Sequence, residues 1–442
     1  MNYSILLFFC VLTVYFILKN KNPLVIEIVY FIISPCVKLG SLNIDSTYLF
    51  VLFVIIVLLI KKKGKFKAES FNGFFHLMVF WIIFYLLGWI INGQMINLSG
   101  VIISVLGLIK NILVLYVCAL SCVIRSKKEL DRIIGKSFSV SVLLNLIAVL
   151  LQMAFPAKMY DICYQLYYSA SSTGYTNYDT IKTWGSGFFK GKYYRYFGLF
   201  DTPMNFSCFI IIVLTLVVVQ LSSDKTFFKY PKIVSIVCFF LGLLAQCKIF
   251  FLMLPVLIVL YILFNFKRIN FNRMIIFSII IFGIIMIFLN LDSISGISTF
   301  RYLRYLKDPV EAFATRLGSD DKEGYIFKTL QVALQHPLFG VGPVSVAGET
   351  IADSSYIVLF HNGGIFSLVV LMLIYFRLIV ETVKKNQVCL NILIISLLIM
   401  GMSRTILISG SLLLISIFYI NKCLNCDSKE NNSLQHERNN KV

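Results

Sequence analysis

Apolar runs of about 15–25 residues recur along the whole of a 442-residue chain, and each is long enough to cross a hydrocarbon core of about 30 Å as a helix. In lipid every backbone N–H and C=O must find its partner inside the protein, so only helices and closed barrels span. Barrel strands read as short segments of alternating polarity, whereas these runs are continuous. The pattern predicts an all-α polytopic membrane protein with about 12 (11–13) transmembrane helices. Charged residues make up 14% of the chain, against about 25% in soluble globular domains.

The formal net charge of +19 sits between the runs and reads as an orientation signal, so nucleic acid is excluded as a partner. The segments Lys61–Lys67, Arg125–Lys136, Asp224–Lys232, Lys267–Arg273, Arg377–Lys385 and the tail from Lys422 belong on the cytoplasmic side. Candidate spans are 3–18, 24–40, 46–60, 74–92, 98–124, 137–155, 204–221, 233–247, 249–266, 274–291, 356–376, 388–402 and 405–420. The first segment has no basic start and no small-residue cleavage site, so it reads as an uncleaved span. Crossing by every candidate places the N-terminus outside. Segment 24–40 carries Glu27, Pro35 and Lys38, and reading it as re-entrant leaves about twelve spans with both ends inside, the preferred arrangement.

The chain then divides into N-terminal membrane helices (1–155), a first large outer loop (156–203), middle helices (204–291), a second large outer loop (292–355), C-terminal helices (356–420) and a cytoplasmic tail (421–442). Both loops are longer than connections require. The second holds a predicted amphipathic helix in EGYIFKTLQVALQ, with Ile326, Phe327, Leu330, Ala333 and Leu334 on one face, ended by Pro337. The first is rich in Tyr and Trp among Ser, Thr, Asn and Gly, a composition suited to sugar faces or to an interfacial aromatic belt. The eleven cysteines lie scattered through apolar runs, as small hydrophobes do. The pair Cys423 and Cys426 has no second pair to complete a zinc site.

Some cations break the orientation rule. Arg195, Lys248, Arg316 and Arg404 fall on the outer side close to span entries. Arg195 precedes a turn fixed by Gly198 and Pro203. Lys248 and Arg404 sit in tight hairpins, and Arg316 precedes the loop helix. Headgroup contact is the plain reading, and a diphosphate gripped by converging cations is the functional one. Lys110 lies midway along an apolar run. An ionisable residue at that depth is a functional candidate, or else a structural one facing the bundle interior and paired with Glu27. The available bases on the outer side are His336, Glu349 and Asp353; Asp353 also suits a helix cap. His361, inside a span, reads as a core histidine. No zinc-protease, P-loop or nucleophile-elbow motif is present.

Three stretches carry a resemblance. RYFGLFDTPMNFS, ALQHPLFGVGPVS and ADSSYIVLFHNGGIFSLVVL are similar, in order and spacing over 190–371, to elements of the Wzy-type O-antigen polymerase and O-antigen ligase family. The resemblance implies metal-independent, inverting glycosyl transfer from undecaprenyl-diphosphate-linked glycans, which serve as donor and acceptor at the outer face of the bacterial cytoplasmic membrane. It implies no cofactor, a setting of membrane lipids, and a chain-length regulator as a protein partner. Arg195 would contact the donor diphosphate, with Lys248, Arg316 and Arg404 supporting it. Asp353, or else His336 or Glu349, would be the base. Gly340 and Gly342 would let backbone approach the substrate, and Tyr356 would stand at the entry of the following span. Lys248 stands where the family carries an Arg, which keeps the charge and loses the bidentate fork. Asp353 stands where ligases tend to place a His, which favours a polymerase. The alternatives are a ligase passing polysaccharide to lipid A or another acceptor, and a flippase for lipid-linked oligosaccharide.

Overall fold

A computed structural model describes residues 2–39, 42–62, 74–92, 98–122, 126–167, 196–200, 202–265, 318–319, 322–323, 325–342, 354–402, 407 and 412–425. The described chain is predominantly helical. Its elements are α1 (Asn2–Leu18), α2 (Leu24–Ile33), β1 (Cys36–Leu39), β2 (Leu42–Asp45), α3 (Ser46–Lys62), α4 (Phe74–Asn92), α5 (Leu98–Ser121), α6 (Lys127–Ala154) and α7 (Pro156–Tyr167). There follow α8 (Pro203–Leu221), α9 (Pro231–Ala245), α10 (Lys248–Asn265), β3 (Gly318–Ser319), β4 (Lys322–Glu323), α11 (Tyr325–Gln335), α12 (Ser355–Lys384), α13 (Leu390–Gly401) and α14 (Leu412–Asn425). By length and composition α6, α8, α10 and α12 are able to cross a membrane, and shorter apolar helices stand beside them. Predicted span 274–291 lies outside the described residues.

Two antiparallel hairpins, β1–β2 and β3–β4, add to the all-α expectation. The first follows from Pro35, which cannot continue α2. Ser34 adopts a left-handed φ of 37° to end the helix, and the chain returns to α3 beside it, Ser46 bonding the Pro35 carbonyl. Two helix starts are chemically marked. Ser126 Oγ accepts from the Glu129 backbone N–H at 3.3 Å to open α6. Thr202 Oγ1 accepts from that of Asn205 at 3.1 Å, with Pro203 at the first position of α8.

Burial separates inner from outer helices. In α8, 14 of 19 residues are buried, in α2 8 of 10, and residues 412–421 of α14 all are. Apolar side chains elsewhere point outward: Leu7 and Phe8 on α1, Ile60 on α3, Leu143 on α6, Phe240 on α9, Phe376 on α12. Outward apolar faces on so many helices suit a hydrocarbon surrounding and are far more than a soluble monomer exposes.

The bundle has two unlike ends. At one, Lys61 Nζ donates to Asn20 Oδ1 at 2.8 Å. Nearby, Lys225 pairs with Asp131 at 3.9 Å and lies 3.6 Å from Cys423 Sγ, and Lys385 donates to the Leu424 carbonyl at 2.7 Å. The Tyr419 hydroxyl closes this cluster on Asp131 at 2.7 Å. Burial alone would lower the Lys225 ammonium, but the neighbouring Cys423 and Asp131 charges outweigh it and hold it above its usual value. At the other end, Asn2 Nδ2 donates to the Gln165 carbonyl at 2.6 Å, the Tyr196 backbone N–H to Leu244 O at 3.1 Å, and Asn92 Nδ2 to Gly340 O at 2.8 Å. Among the described residues, Lys61, Lys225 and Lys385 therefore lie at one end, and α7, the Tyr196–Phe200 turn and the 336–342 turn lie at the other.

Several expectations bear on the described residues here. Segment 24–40 forms the ten-residue α2 and the first strand of a hairpin that leads into α3, whose Lys61 lies beside Asn20 just after α1. The first loop begins as a helix, α7, and the tail begins later than residue 421, since α14 runs to Asn425. On α11, of the predicted apolar face, Ala333 is buried and Leu330 half-buried while Leu334 is 61% exposed, and the Ile326 and Phe327 side chains lie outside the described residues. Thr329, an i, i+4 neighbour of Ala333, is buried as well, and the helix packs against α12.

Candidate functional site

Three turns at the loop end are described. The first, Tyr196–Phe200, follows directly on Arg195 and is held from below by two amides of α6. Gln152 Oε1 accepts from the backbone N–H groups of Phe197 and Gly198, each at 3.2 Å, and Gln152 Nε2 donates to Gly198 O at 2.9 Å. Asn145 Oδ1 accepts from the Leu199 N–H at 2.8 Å. Gly198 has φ 56°, and a Cβ there would overlap Asn145 Oδ1, so only glycine fits. The turn is as rigid as Gly198 and Pro203 predict, but its anchors were missed. Asn145 and Gln152 are seven residues apart, two turns along one face of an apolar helix, and buried amides in such a run need partners. That spacing was the available signal.

The second turn joins α9 to α10. Gln246, in a left-handed conformation with φ 47°, ends α9 through a bond from its N–H to Leu243 O. Lys248 then opens α10, half-buried. The Tyr196–Leu244 backbone bond brings the turn after Arg195 beside the turn that carries Lys248, so the chain segments of these two candidate cations are neighbours.

The third turn is the most unusual feature. α11 ends at Gln335, and His336 to Gly342 folds against a break in α12. There Gly364 has φ 65° and ψ −166°, far from helical. The carbonyls of His361 and Asn362, freed by the break, accept from the backbone N–H groups of Val341 at 2.9 Å and Gly342 at 3.0 Å. The Ile365 N–H donates to Pro337 O at 2.8 Å. The turn thus supplies the hydrogen bonds the interrupted helix lacks, as non-helical backbone within a membrane helix requires. Gly340 (φ 65°) and Gly342 (φ 84°) are both obligatory. A Cβ on Gly340 would strike the His361 carbonyl, and one on Gly342 would lie 2.8 Å from Trp89 Cβ. The close approach these glycines permit is to α12 and α4, not to an open surface; both are buried. His336, at the α11 end, is half-buried. His361 is buried, as predicted for a core histidine, with its Nδ1 2.9 Å from Asn362 Oδ1.

Residues 403–406, after α13, lie outside the described residues. The Tyr356 hydroxyl donates to Leu398 O at 2.7 Å and the Leu407 N–H donates to Ser355 Oγ at 3.1 Å, so the first turn of α12 is tied to both sides of 403–406. Arg195, Arg316, Glu349, Asp353 and Arg404 lie outside the described residues. Of the predicted site residues, Lys248, His336, Gly340, Gly342 and Tyr356 are described. The structure gathers them at one end of the bundle but in two separate turns and the start of α12.

Lys110 departs from expectation. Its partner is Asp45, at 2.6 Å, with Tyr48 stacked 5.7 Å from the ammonium. Glu27 instead accepts from Ser121 Oγ at 2.7 Å. The hairpin return places Asp45 at the head of α3, opposite the middle of α5, which no linear spacing could reveal. Burial pushes the Asp45 carboxyl up, but the Lys110 charge and hydrogen bonds from Lys110 and Thr47 prevail and hold it below the usual carboxylate range. Against known proteins, no family model and no curated protein matches the chain.

Proposed function

We propose that this chain is a bacterial membrane glycosyltransferase that polymerises lipid-diphosphate-linked oligosaccharide repeats into O-antigen or capsular polysaccharide, with its site at the loop end. The observation that carries the reading is the turn at 336–342, buttressed by the α12 break. Two of the three stretches that resemble the polymerase and ligase family, ALQHPLFG and YIVLFHNGG, are the ones joined there by backbone hydrogen bonds. The third, RYFGLFDTPM, contains the turn pinned by Gln152 and Asn145. A family motif that is also a structural joint is what a fixed catalytic frame needs.

In this reading a sugar hydroxyl of the acceptor repeat attacks the anomeric carbon of the donor glycan. The new glycosidic C–O bond forms as the bond to the lipid diphosphate breaks, with inversion. The hydroxyl proton passes to Asp353, a contribution usually of about 10²–10⁴-fold. The cations Arg195, Lys248, Arg316 and Arg404 oppose the charge growing on the departing diphosphate. Gly340 and Gly342 hold the frame rather than the substrate.

Purified protein supplied with lipid-linked repeats will produce a ladder of lengthened lipid-linked glycan, and Arg195→Ala will reduce it at least tenfold at equal expression. A ligase would leave long chains on the carrier in a deletion strain, where loss of a polymerase leaves single repeats. A second reading, transport of a lipid-linked oligosaccharide, draws on the fully buried Glu27, whose Oε2 has no hydrogen-bond partner among the described residues. Purified protein that lengthens nothing while Glu27→Gln abolishes glycan export in cells would favour that reading instead.

A further inference from the structure

A groove of about 520 Å³ runs between α1, α2 and α6 on the outer surface of the basic end. Its walls are apolar: Phe8 and Leu12 from α1, Val25 and Val29 from α2, Val140 and Leu144 from α6. Phe8 and Val140 are exposed, so the groove opens sideways, towards whatever surrounds the helices. From Glu129 to Leu144 it follows α6 for about 22 Å at 1.5 Å per residue, more than the roughly 15 Å depth of one lipid leaflet.

The mouth is different in chemistry. Lys21, Arg132 and Lys136 line it, and all three are exposed. Glu129 and Asn22 are the other polar residues there. Three cations against one carboxylate make the mouth an anion site, and the apolar trough below it is sized for a hydrocarbon chain. A free phosphate would use the first and leave the second empty. A neutral zwitterionic lipid would bring its own ammonium to three cations.

We propose that this groove is a binding site for an anionic phospholipid. One acyl chain lies along α1 and α6, and Lys21, Arg132 and Lys136 hold the headgroup phosphate, each basic residue adding attraction as it does near an anionic leaflet. The groove is lined by three helices, of which α2 packs on α6 while α1 and α6 share few direct contacts, so an occupied groove clamps α1 to α6. It is independent of the reaction proposed above, and its test does not read glycan synthesis.

The test is lipid retention by the full chain, purified in detergent and measured by native mass spectrometry with dioleoyl phosphatidylglycerol or dioleoyl phosphatidylcholine. Wild-type protein will retain the phosphatidylglycerol at least about tenfold better. The triple substitution Lys21→Ala, Arg132→Ala, Lys136→Ala will erase that preference. Val140→Trp, which fills the trough and leaves the cations in place, will lower retention of both lipids. Lys229→Ala with Lys232→Ala, at the same end but off the groove, will keep the wild-type preference, and excess inorganic phosphate will not displace the lipid. The proposal fails if the two lipids are retained alike, if the triple variant keeps its preference, or if Val140→Trp changes nothing. It also fails if inorganic phosphate strips the lipid away.

Discussion

Among the described residues the chain abandons the helix after α2 and at Gly364, and the two interruptions are repaired in opposite ways. After α2 the backbone turns into the β1–β2 hairpin, whose strands bond to each other from Cys36–Asp45 to Leu39–Leu42. The repair is local: the residues that interrupt the helix also satisfy it. At Gly364 the repair is remote. The freed carbonyls of His361 and Asn362 are satisfied by Val341 and Gly342, from a turn some twenty residues earlier that enters from the second loop. A local repair needs nothing beyond itself. A remote one makes the shape of a span depend on a loop, and it is at this joint that the resemblance motifs sit.

The sharpest way to break that contrast is Gly364→Val. A β-branched residue at φ 65° is strained, and its Cβ would overlap the Leu338 carbonyl, the turn it is meant to receive. The expected cost is about 3 kcal/mol or more. It will be visible as a lowered thermal midpoint of the detergent-purified protein and loss of glycan lengthening. Wild-type behaviour would mean that the joint is not obligatory.

Next in size is Gln152→Leu. It removes three hydrogen bonds to the turn after Arg195 and leaves two N–H groups and one carbonyl in a site where Gln152 is 1% exposed. The expected loss is about 2–3 kcal/mol. Because the turn leads into the predicted diphosphate contact, activity will fall more steeply than stability. A fall in melting temperature with unchanged rate per folded molecule would make Gln152 a packing residue alone.

These two sites also mark what was legible in the sequence. The helical class and the end of α11 before Pro337 follow from apolar run length and proline chemistry. Pro35 announced the interruption after α2 but not its form, because hairpin register depends on residues folding back, and one reading of Glu27, Pro35 and Lys38 sent the chain out by the face it entered. The Asn362-Gly363-Gly364 stretch was read only as part of a span. Its break depends on a turn that arrives from elsewhere, and run length carries no trace of that. Gln152 and Asn145 were visible as amides spaced along one face of an apolar helix. Their partners in 197–199 lie some fifty residues away.

The smallest effect tests the local side of the contrast. Lys110 and Asp45 latch the hairpin to α5 with side chains that remain 25% and 27% exposed, so breaking the pair should cost about 1–2 kcal/mol, less than a fully buried pair. The sign with pH is fixed by the depressed Asp45 carboxyl. A group whose pKa is lower folded than unfolded binds more protons when unfolded, so it stabilises the fold above its ordinary value near 3.8. That contribution is lost as the pH falls through the folded value, below about 4. Wild-type protein melted across that range will therefore lose stability on acidification more steeply than Asp45→Asn, which has no carboxylate to protonate. Lys110→Met combined with Asp45→Asn will cost less than the two single substitutions added together, because each single change strands the partner. Glycan lengthening per folded molecule should be unchanged in all three, since the hairpin satisfies its own backbone and no site turn leans on it. If Asp45→Asn instead abolishes lengthening while the protein stays folded, the latch belongs to the reaction, and the division into a self-sufficient interruption and a site-forming one is wrong.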